Sequence, residues 1–120
     1  MDADCIIIGA GPSGLHTGTY LGRFLCKAIV LNGARPRASW IPVTHNFPGF
    51  PEGVTGFELL ELLRLQSLKY GSIMRDERAV EVTGEDGAFA VKTNKSTITA
   101  KKIVFATGVY DIPPDVPNAP

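Results

Sequence analysis

Two short, unbroken apolar runs near the N-terminus predict strands that are buried on both faces. Residues 5–8 (Cys-Ile-Ile-Ile) and Ala28–Leu31 contain no polar position, which is typical of neighbouring strands in a parallel sheet. Between them, residues 13–25 carry leucines at positions suited to a helix, and Pro12 stands near its first turn, where a missing N–H costs little. The pattern therefore predicts a β-α-β unit.

A second helix is predicted over residues 57–70, where the composition is rich in leucine and charged residues. Thr55 is placed to cap its N-terminus, and Glu58 three residues later completes a capping-box pattern. Gly71 follows as the residue that ends the helix. Residues 72–74 then predict a short third parallel strand.

The period changes in the last third of the chain, where three short strands are separated by turn-forming residues. We expect an antiparallel meander over residues 79–83, 88–93 and 97–100, before residues 102–106 return to the apolar character of a strand. The resulting fold class is α/β, a Rossmann-like parallel sheet with an antiparallel β-meander crossover. The long, irregular segment 33–56 is rich in proline and glycine, as is common in loops that wrap a ligand.

The first predicted strand ends in glycines spaced as G-x-G-x-x-G, namely Gly9, Gly11 and Gly14. In a dinucleotide-binding unit the first glycine permits a tight turn, the second lets a pyrophosphate approach the backbone, and the third packs the helix on the strand. Free N–H groups at the helix start face the phosphate charge. Gly18 and Gly22 continue the four-residue spacing, and we expect that glycine face to lie close to the sheet.

The residue that ends the second strand of such a unit meets the adenosine ribose and is usually acidic. Asn32 holds that position here, with Gly33 after it. Asn can still hydrogen-bond ribose hydroxyls, but it carries no charge. Arg35 and Arg37 follow at positions where a 2′-phosphate could be bound, so the residues alone leave NADP as an alternative to other dinucleotides.

Composition and charge narrow the functional classes. The 120 residues suit one domain, and twelve basic and twelve acidic residues give no electrostatic indication of a nucleic-acid partner or an anionic membrane. No apolar run approaches the roughly 20 residues of a membrane span. Asp2 and Asp4 stand where a signal peptide would be basic, so we expect a cytoplasmic location.

The titratable side chains outside the glycine motif indicate no catalytic centre. Cys5 and Cys26 are interpreted as core thiols, although a disulfide between them is sterically open if their Cα atoms lie within about 7 Å. His16 is expected at the surface of the first helix, whereas His45 lies in the long loop and has better odds of contacting a ligand. No residues stand at metal-ligand spacing, and no catalytic residue is assigned.

Three stretches together resemble the FAD domain of the thioredoxin reductase group, within the flavoproteins that have two dinucleotide-binding domains. They are residues 9–14 (Gly-Ala-Gly-Pro-Ser-Gly), 46–56 (Asn-Phe-Pro-Gly-Phe-Pro-Glu-Gly-Val-Thr-Gly) and 106–108 (Ala-Thr-Gly). The first and third occur across many flavoproteins, and the middle stretch is more specific. The resemblance covers nearly the whole chain.

The resemblance implies FAD as the cofactor and assigns the residues that would bind it. The pyrophosphate would lie at the glycine loop, the adenosine ribose at the end of the second strand, and the flavin beside the long loop and the last strand. An adenine contact is implied through backbone around Glu77. The implied cofactor-binding residues are Gly9, Gly11, Pro12, Ser13, Gly14, Asn32, Gly33, Arg37, Ala38, Ser39, Asn46, Ala106, Thr107 and Gly108.

The chain also departs from the group's pattern. Residues 37–40 (Arg-Ala-Ser-Trp) replace a Gly-Gly-Gln-like stretch, and His45 stands where many members have an acid, which leaves the electron acceptor open. Trp40 suits a contact with the flavin or an interface about equally. The resemblance further implies an NAD(P)H domain and a C-terminal FAD segment beyond residue 120, so residues 1–120 correspond to the N-terminal part of the FAD domain, with 111–120 as a linker.

Three functional hypotheses follow. The first is the FAD-binding portion of an oxidoreductase that passes electrons from NADPH or NADH through flavin to a disulfide or related acceptor, with the complete enzyme a homodimer. The second is an NADP-binding Rossmann module that uses Arg35 and Arg37. The third is a non-catalytic, truncated nucleotide-binding or interaction module.

Overall fold

A six-stranded sheet organises the fold in the computed structural model of this chain. The structure describes residues 1–33 and 36–108. The strands are β1 (Ala3–Ile8), β2 (Ala28–Leu31), β3 (Ile73–Arg75), β4 (Ala79–Glu85), β5 (Ala88–Thr93) and β6 (Thr97–Phe105). The helices are α1 (Pro12–Arg23) and α2 (Gly56–Lys69), with a short 3₁₀ helix over Arg37–Trp40.

The strand order is β3-β2-β1-β6-β5-β4, and the sheet has a parallel and an antiparallel half. β3, β2, β1 and β6 run parallel, whereas β6, β5 and β4 are antiparallel neighbours. The predicted α/β fold with an antiparallel meander is therefore confirmed. The parallel half carries the unbroken apolar runs because its strands are covered on both faces.

β6 belongs to both halves of the sheet. Its N-terminal part pairs with β5, its C-terminal part pairs with β1, and Ala100 has a partner on each side. The sequence predicted two strands separated near residue 101, which is wrong. Lys101 and Lys102 interrupt the apolar pattern, but their backbone continues the strand while their ammonium groups extend to Asp4 and Asp86.

The apolar core lies on both faces of the sheet. On one face the buried residues of β1 and β2 meet those of β5 and β6, centred on Ile6, Leu31, Val91 and Ile98. On the other face the alternate residues of β1 and β2 contact the helices, through the cluster of Cys5, Ile7, Leu15, Ala28, Val30, Val54, Leu59 and Leu63. Alternation along β1 and β2 thus supplies both cores.

The ends of α2 follow the predicted signals. The Thr55 hydroxyl oxygen accepts a hydrogen bond from the Glu58 N–H at 3.1 Å, as an N-cap does. Gly71 follows the C-cap with φ +97°. α1 ends earlier than predicted, at Arg23, because Leu25 takes a left-handed conformation with φ +63°.

The glycine face of α1 contacts α2 more than the sheet. An added Cβ at Gly18 would lie 2.5 Å from the Ser67 hydroxyl oxygen and 3.3 Å from a Val30 methyl carbon. At Gly22 it would collide with the backbone carbonyl of Tyr70. The expected close approach is present, but its main partner is the C-terminal end of α2. Because glycine has no side chain, α1 and α2 can cross at a short distance at these two positions.

Candidate functional site

The carboxyl ends of three parallel strands meet at one edge of the sheet. Ile8 pairs with Leu31 on one side and Phe105 on the other. Beyond this row, the Gly9 N–H donates to the Leu31 carbonyl at 3.1 Å, and the Ala106 N–H donates to the Ile8 carbonyl at 2.8 Å. The loops that follow the three strands are consequently adjacent, at the place where open α/β sheets bind ligands.

These loops line an open cavity of about 650 Å³. One part of the lining consists of the last residues of β1, β2 and β6 and the residues that come after these strands. The other part comes from the 3₁₀ segment and from residues 77–79 at the start of β4. The lining residues are Ile8, Gly9, Ala10, Gly11, Pro12, Ser13, Leu31, Gly33, Pro36, Ala38, Glu77, Arg78, Ala79, Phe105, Ala106, Thr107 and Gly108. The volume is within the range of cofactor pockets.

The turn after β1 depends on glycine for two separate reasons. Gly9 has φ +119°, a conformation that residues with a Cβ rarely adopt. In addition, a Cβ at Gly9 would collide with the carbonyl of Ala106, and a Cβ at Gly14 would collide with the carbonyl of Gly9. The turn is thus packed between the end of β6 and the first turn of α1.

The start of α1 has the features of an anion site. Gly11 is the N-cap and makes no side-chain cap hydrogen bond, and Pro12 occupies the first helical position. The first turn carries no acidic residue. An added Cβ at Gly11 would meet only Pro36, at 3.9 Å, so the space in front of this backbone is open. The N–H groups of the first turn and the helix dipole therefore favour negative charge at the cavity.

A second wall of the cavity is formed by the segment before β4. A Cβ at Gly33 would lie 2.5 Å from the Cα of Arg78 and 2.9 Å from the carbonyl oxygen of Glu77. Glu77 is only 8% exposed, and its carboxylate accepts hydrogen bonds from the hydroxyls of Thr93, at 2.7 Å, and Ser96, at 2.6 Å. The Ser96 and Thr93 hydrogen bonds lower the pKa of Glu77 below its ordinary value.

Most of the residues predicted to bind a cofactor line this cavity. They are Gly9, Gly11, Pro12, Ser13, Gly33, Ala38, Ala106, Thr107 and Gly108. Gly14 is buried behind Gly9 and supports the turn. The sequence did not single out Arg78, Ala79 or Phe105. Phe105 could have been predicted, because it is the last strand residue before Ala106. Arg78 and Ala79 could not, because their position at the cavity depends on how the meander packs against β2.

Asn32 and Ser39 line a neighbouring cavity of about 490 Å³ instead. The Asn32 side-chain amide donates to the Asp76 carboxylate at 3.2 Å, and this hydrogen bond directs the Asn32 side chain toward the second cavity. Leu60 and Met74 give this second cavity apolar lining, and Ala10 and Pro36 line both cavities.

Asn46 lines neither cavity. Its side-chain oxygen accepts a hydrogen bond from the Thr44 hydroxyl at 2.9 Å, and Thr44 pairs with Val54 as a short antiparallel bridge. The place of Asn46 at a flavin stays a prediction. The expectations for Arg35, the Arg37 side chain and the linker 111–120 lie outside the described residues.

The remaining titratable and aromatic candidates lie away from the cavity. Cys5 and Cys26 are free thiols, and burial of Cys5 raises the pKa of its thiol. His16 packs edge-on against Tyr20 with ring centroids 5.0 Å apart, and His45 is exposed beside the Gly53 turn. Trp40 is 71% exposed and lines neither cavity.

Comparison with known proteins identifies the family. The sequence profile of the pyridine nucleotide-disulphide oxidoreductases matches residues 3–120. This chain belongs to that family. Within this family, the chain is similar to thioredoxin reductases, which confirms the resemblance seen in the sequence.

Two thioredoxin reductases and one solved structure illustrate the relationship. The chain is 34% identical over 120 residues to the thioredoxin reductase of Pneumocystis carinii, and this match covers 92% of the chain and 37% of the relative. It is 30% identical over 122 residues to the thioredoxin reductase of Chlamydia trachomatis serovar D, and that match covers 98% of the chain and 39% of the relative. The atypical thioredoxin reductase of Desulfovibrio vulgaris Hildenborough shares 35% identity with a TM-score of 0.84, covering 97% of the chain and 39% of that structure.

The chain thus spans about two fifths of the length of these thioredoxin reductase-like relatives. Within the described residues, no helix of the chain is long and apolar enough to cross a membrane.

Proposed function

We propose that this chain forms the N-terminal part of a FAD-binding domain and that it holds FAD in the cavity at the carboxyl edge of the parallel strands. The observation that carries the proposal is the open backbone at Gly11, beside an uncapped helix start and enclosed by close-packed glycines. A dinucleotide has a doubly charged pyrophosphate with a nucleoside at each end, which suits a cavity that contains an anion site and is lined by several loops.

The residues of the chain would bind and orient the cofactor. The backbone from Gly9 to Ser13 would receive the pyrophosphate, and Gly33 with the segment before β4 would contact the adenosine end. Ala38 and residues 106–108 would contact the flavin end. When bound, FAD supplies the chemistry of electron transfer, and the protein holds it and limits its contact with water.

In a complete thioredoxin reductase-like enzyme, we propose that electrons pass from NADPH or NADH through this flavin to a disulfide or a related acceptor. Neither Cys5 nor Cys26 fits the role of redox partner, because Cys5 is a buried strand residue with a raised thiol pKa and Cys26 is too distant in sequence for a Cys-x-x-Cys motif. The disulfide-reducing groups would belong to other segments of the complete enzyme.

We further propose that the complete enzyme is a homodimer. Leu62, Leu65 and Leu68 of α2 are 44%, 50% and 37% exposed. Among the leucines of this helix, Leu59 and Leu63 are buried and Leu60 is partly buried. Light scattering during gel filtration would test self-association, and a monomer over a wide concentration range would contradict it for this chain.

Spectroscopy and titration test the central proposal. We expect the purified chain to bind FAD, seen as flavin absorbance that stays with the protein and as quenching of flavin fluorescence during titration. Gly11→Val should abolish that binding, because its methyl groups would occupy the open space at the backbone. Ala88→Val adds comparable bulk at an exposed position of β5 and is the matched control. Binding of NADPH without affinity for FAD would contradict the proposal.

A further inference from the structure

We propose that Glu77 is a positioning residue for the adenosine end of the dinucleotide. It acts through the backbone of Glu77 and Arg78, which it fixes against Gly33. The inference rests on the proposed function, since it concerns the same cavity.

The segment before β4 is held to the β5–β6 turn by four hydrogen bonds. Thr93 and Ser96 each donate a hydroxyl to the Glu77 carboxylate, at 2.7 and 2.6 Å. The Arg78 N–H donates to the Asn94 side-chain oxygen at 2.8 Å, and the Asn94 N–H donates to the Arg78 carbonyl at 3.0 Å. Both faces of the two-residue segment are therefore tied to the same turn.

The β5–β6 turn is itself closed by hydrogen bonds among residues 93–96. The Thr93 hydroxyl oxygen accepts hydrogen bonds from the Lys95 and Ser96 N–H groups at 3.1 and 2.9 Å, and the Thr93 N–H donates to the Ser96 carbonyl at 2.7 Å. Because the Thr93 hydroxyl also donates to Glu77, its donor and acceptor capacity are both used. The carboxylate is thus part of one connected polar network.

The other carboxylate oxygen of Glu77 lies 3.5 Å from the Arg75 guanidinium. The hydroxyls of Thr93 and Ser96 contact one carboxylate oxygen and Arg75 pairs with the other, so both oxygens of this nearly buried side chain have partners. A buried carboxylate contributes less stability than its contacts suggest, because its desolvation is costly. Its clearest effect is to restrict the position of the backbone that carries it.

That position matters for the cavity because Gly33 and Arg78 are already in close contact. With only 2.5 Å between a Gly33 Cβ position and the Arg78 Cα, the two backbones leave no space for adjustment toward each other. Glu77, Arg78 and Ala79 all line the cavity. Loss of the carboxylate would free this wall and change the width of the cavity at its Gly33 end.

Titration with ADP, the adenosine half of FAD, tests the inference. We expect Glu77→Ala to weaken ADP binding about tenfold, as the loss of a charged hydrogen-bond acceptor often does. Glu77→Gln should recover part of that loss, because its amide oxygen can still accept from Thr93 and Ser96. Asp86→Asn removes a carboxylate at the opposite end of the meander and should leave ADP affinity within about twofold.

A second control separates positioning from stability. Ile98→Val truncates a buried side chain of β6 and lowers the thermal stability without touching the network. It should leave ADP affinity unchanged. If Glu77→Ala binds ADP as the parent does, or if Ile98→Val weakens ADP as much as Glu77→Ala, the inference is overturned.

Should Glu77→Ala fail to fold, Ser96→Ala removes one hydroxyl donor from the turn and is expected to weaken ADP about threefold; unchanged affinity in that variant would overturn the inference. A parent chain that binds neither ADP nor FAD refutes the proposed function, and the inference with it. A parent that binds ADP while the variants lose nothing refutes the inference alone.

Discussion

The two walls of the cavity are built by different physical means. The glycine loop after β1 is held by backbone alone: strand pairing, a left-handed glycine and carbonyls at contact distance from α1 and β6. The wall before β4 is held by side chains, through the Glu77 carboxylate and the polar residues of the β5–β6 turn. At Gly9 and Gly14 the backbone-built wall has no room for an added atom. The side-chain-built wall can accept a substitution, but its position then becomes less well defined.

The largest expected effect comes from breaking the glycine loop. Gly9→Ala should destabilise the chain by about 3 kcal/mol or more, because strain at positive φ is added to a collision with the Ala106 carbonyl. Gly87→Ala has a similar φ of +89° but meets open space, so it should cost only about 1 kcal/mol. Urea unfolding measures both, and equal losses would show that the close packing of Gly9 contributes nothing.

The next effect concerns the side-chain wall. Thr93→Val keeps the shape of a buried residue but removes the hydroxyl that serves Glu77 and two turn N–H groups. We expect a loss of about 1–2 kcal/mol in urea unfolding, because buried polar partners are left unsatisfied. Thr83→Val, at an exposed position of β4, should change stability by less than about 0.5 kcal/mol. Indistinguishable values for the two variants would contradict the network.

The pH dependence of stability sharpens the same comparison. The pKa of Glu77 is lowered in the folded chain by its hydroxyl donors, so this carboxylate contributes stability above its unfolded pKa of about 4.3. That contribution is lost as the pH falls through the lower, folded pKa. Thermal unfolding between pH 7 and pH 3 should therefore decline less steeply below about pH 4.3 in Glu77→Gln than in the parent. Parallel curves would exclude Glu77 as a source of the dependence.

The smallest effect is expected at the exposed end of the meander. Asp86 forms an ion pair with Lys102 that is open to solvent on both sides, and exposed pairs contribute little. Asp86→Asn should shift the melting temperature by no more than about 2 °C, and the shift should vanish in high salt. A shift as large as that of Thr93→Val would mean that the meander is stabilised evenly along its length.

The difference between the walls also explains which features were predictable from the sequence. The glycine loop is encoded in consecutive residues, so its turn, helix start and strand could be read from residues 5–14 together. The strand Ala28–Leu31 and the cap at Thr55 are equally local, and both were found as predicted. Where the signal lies within a few neighbouring residues, short-range physics is sufficient.

The network around Glu77 depends on residues that are distant in sequence. Thr93 and Ser96 lie 16 and 19 positions away, and their meeting depends on the register of the β4–β5 hairpin, in which Ala79 pairs with Thr93. The family resemblance implied a backbone contact near Glu77 but gave no reason for it. Asn32 illustrates the same limit, because its direction depends on Asp76, 44 positions later.

The position of β6 beside β1 determines when the cavity can form during synthesis of the chain. β1 is translated well before β6, which is one of its two neighbours in the sheet, and Asp2 and Thr99 are hydrogen-bonded across 97 positions. The glycine loop is therefore translated early, but its contact with Ala106 at the end of β6 forms only after almost the whole described chain has been translated. At about 5–20 residues per second, that interval lasts several seconds or more. The cavity is therefore complete only after β6 has paired with β1, because the residues that follow β6 form part of its lining.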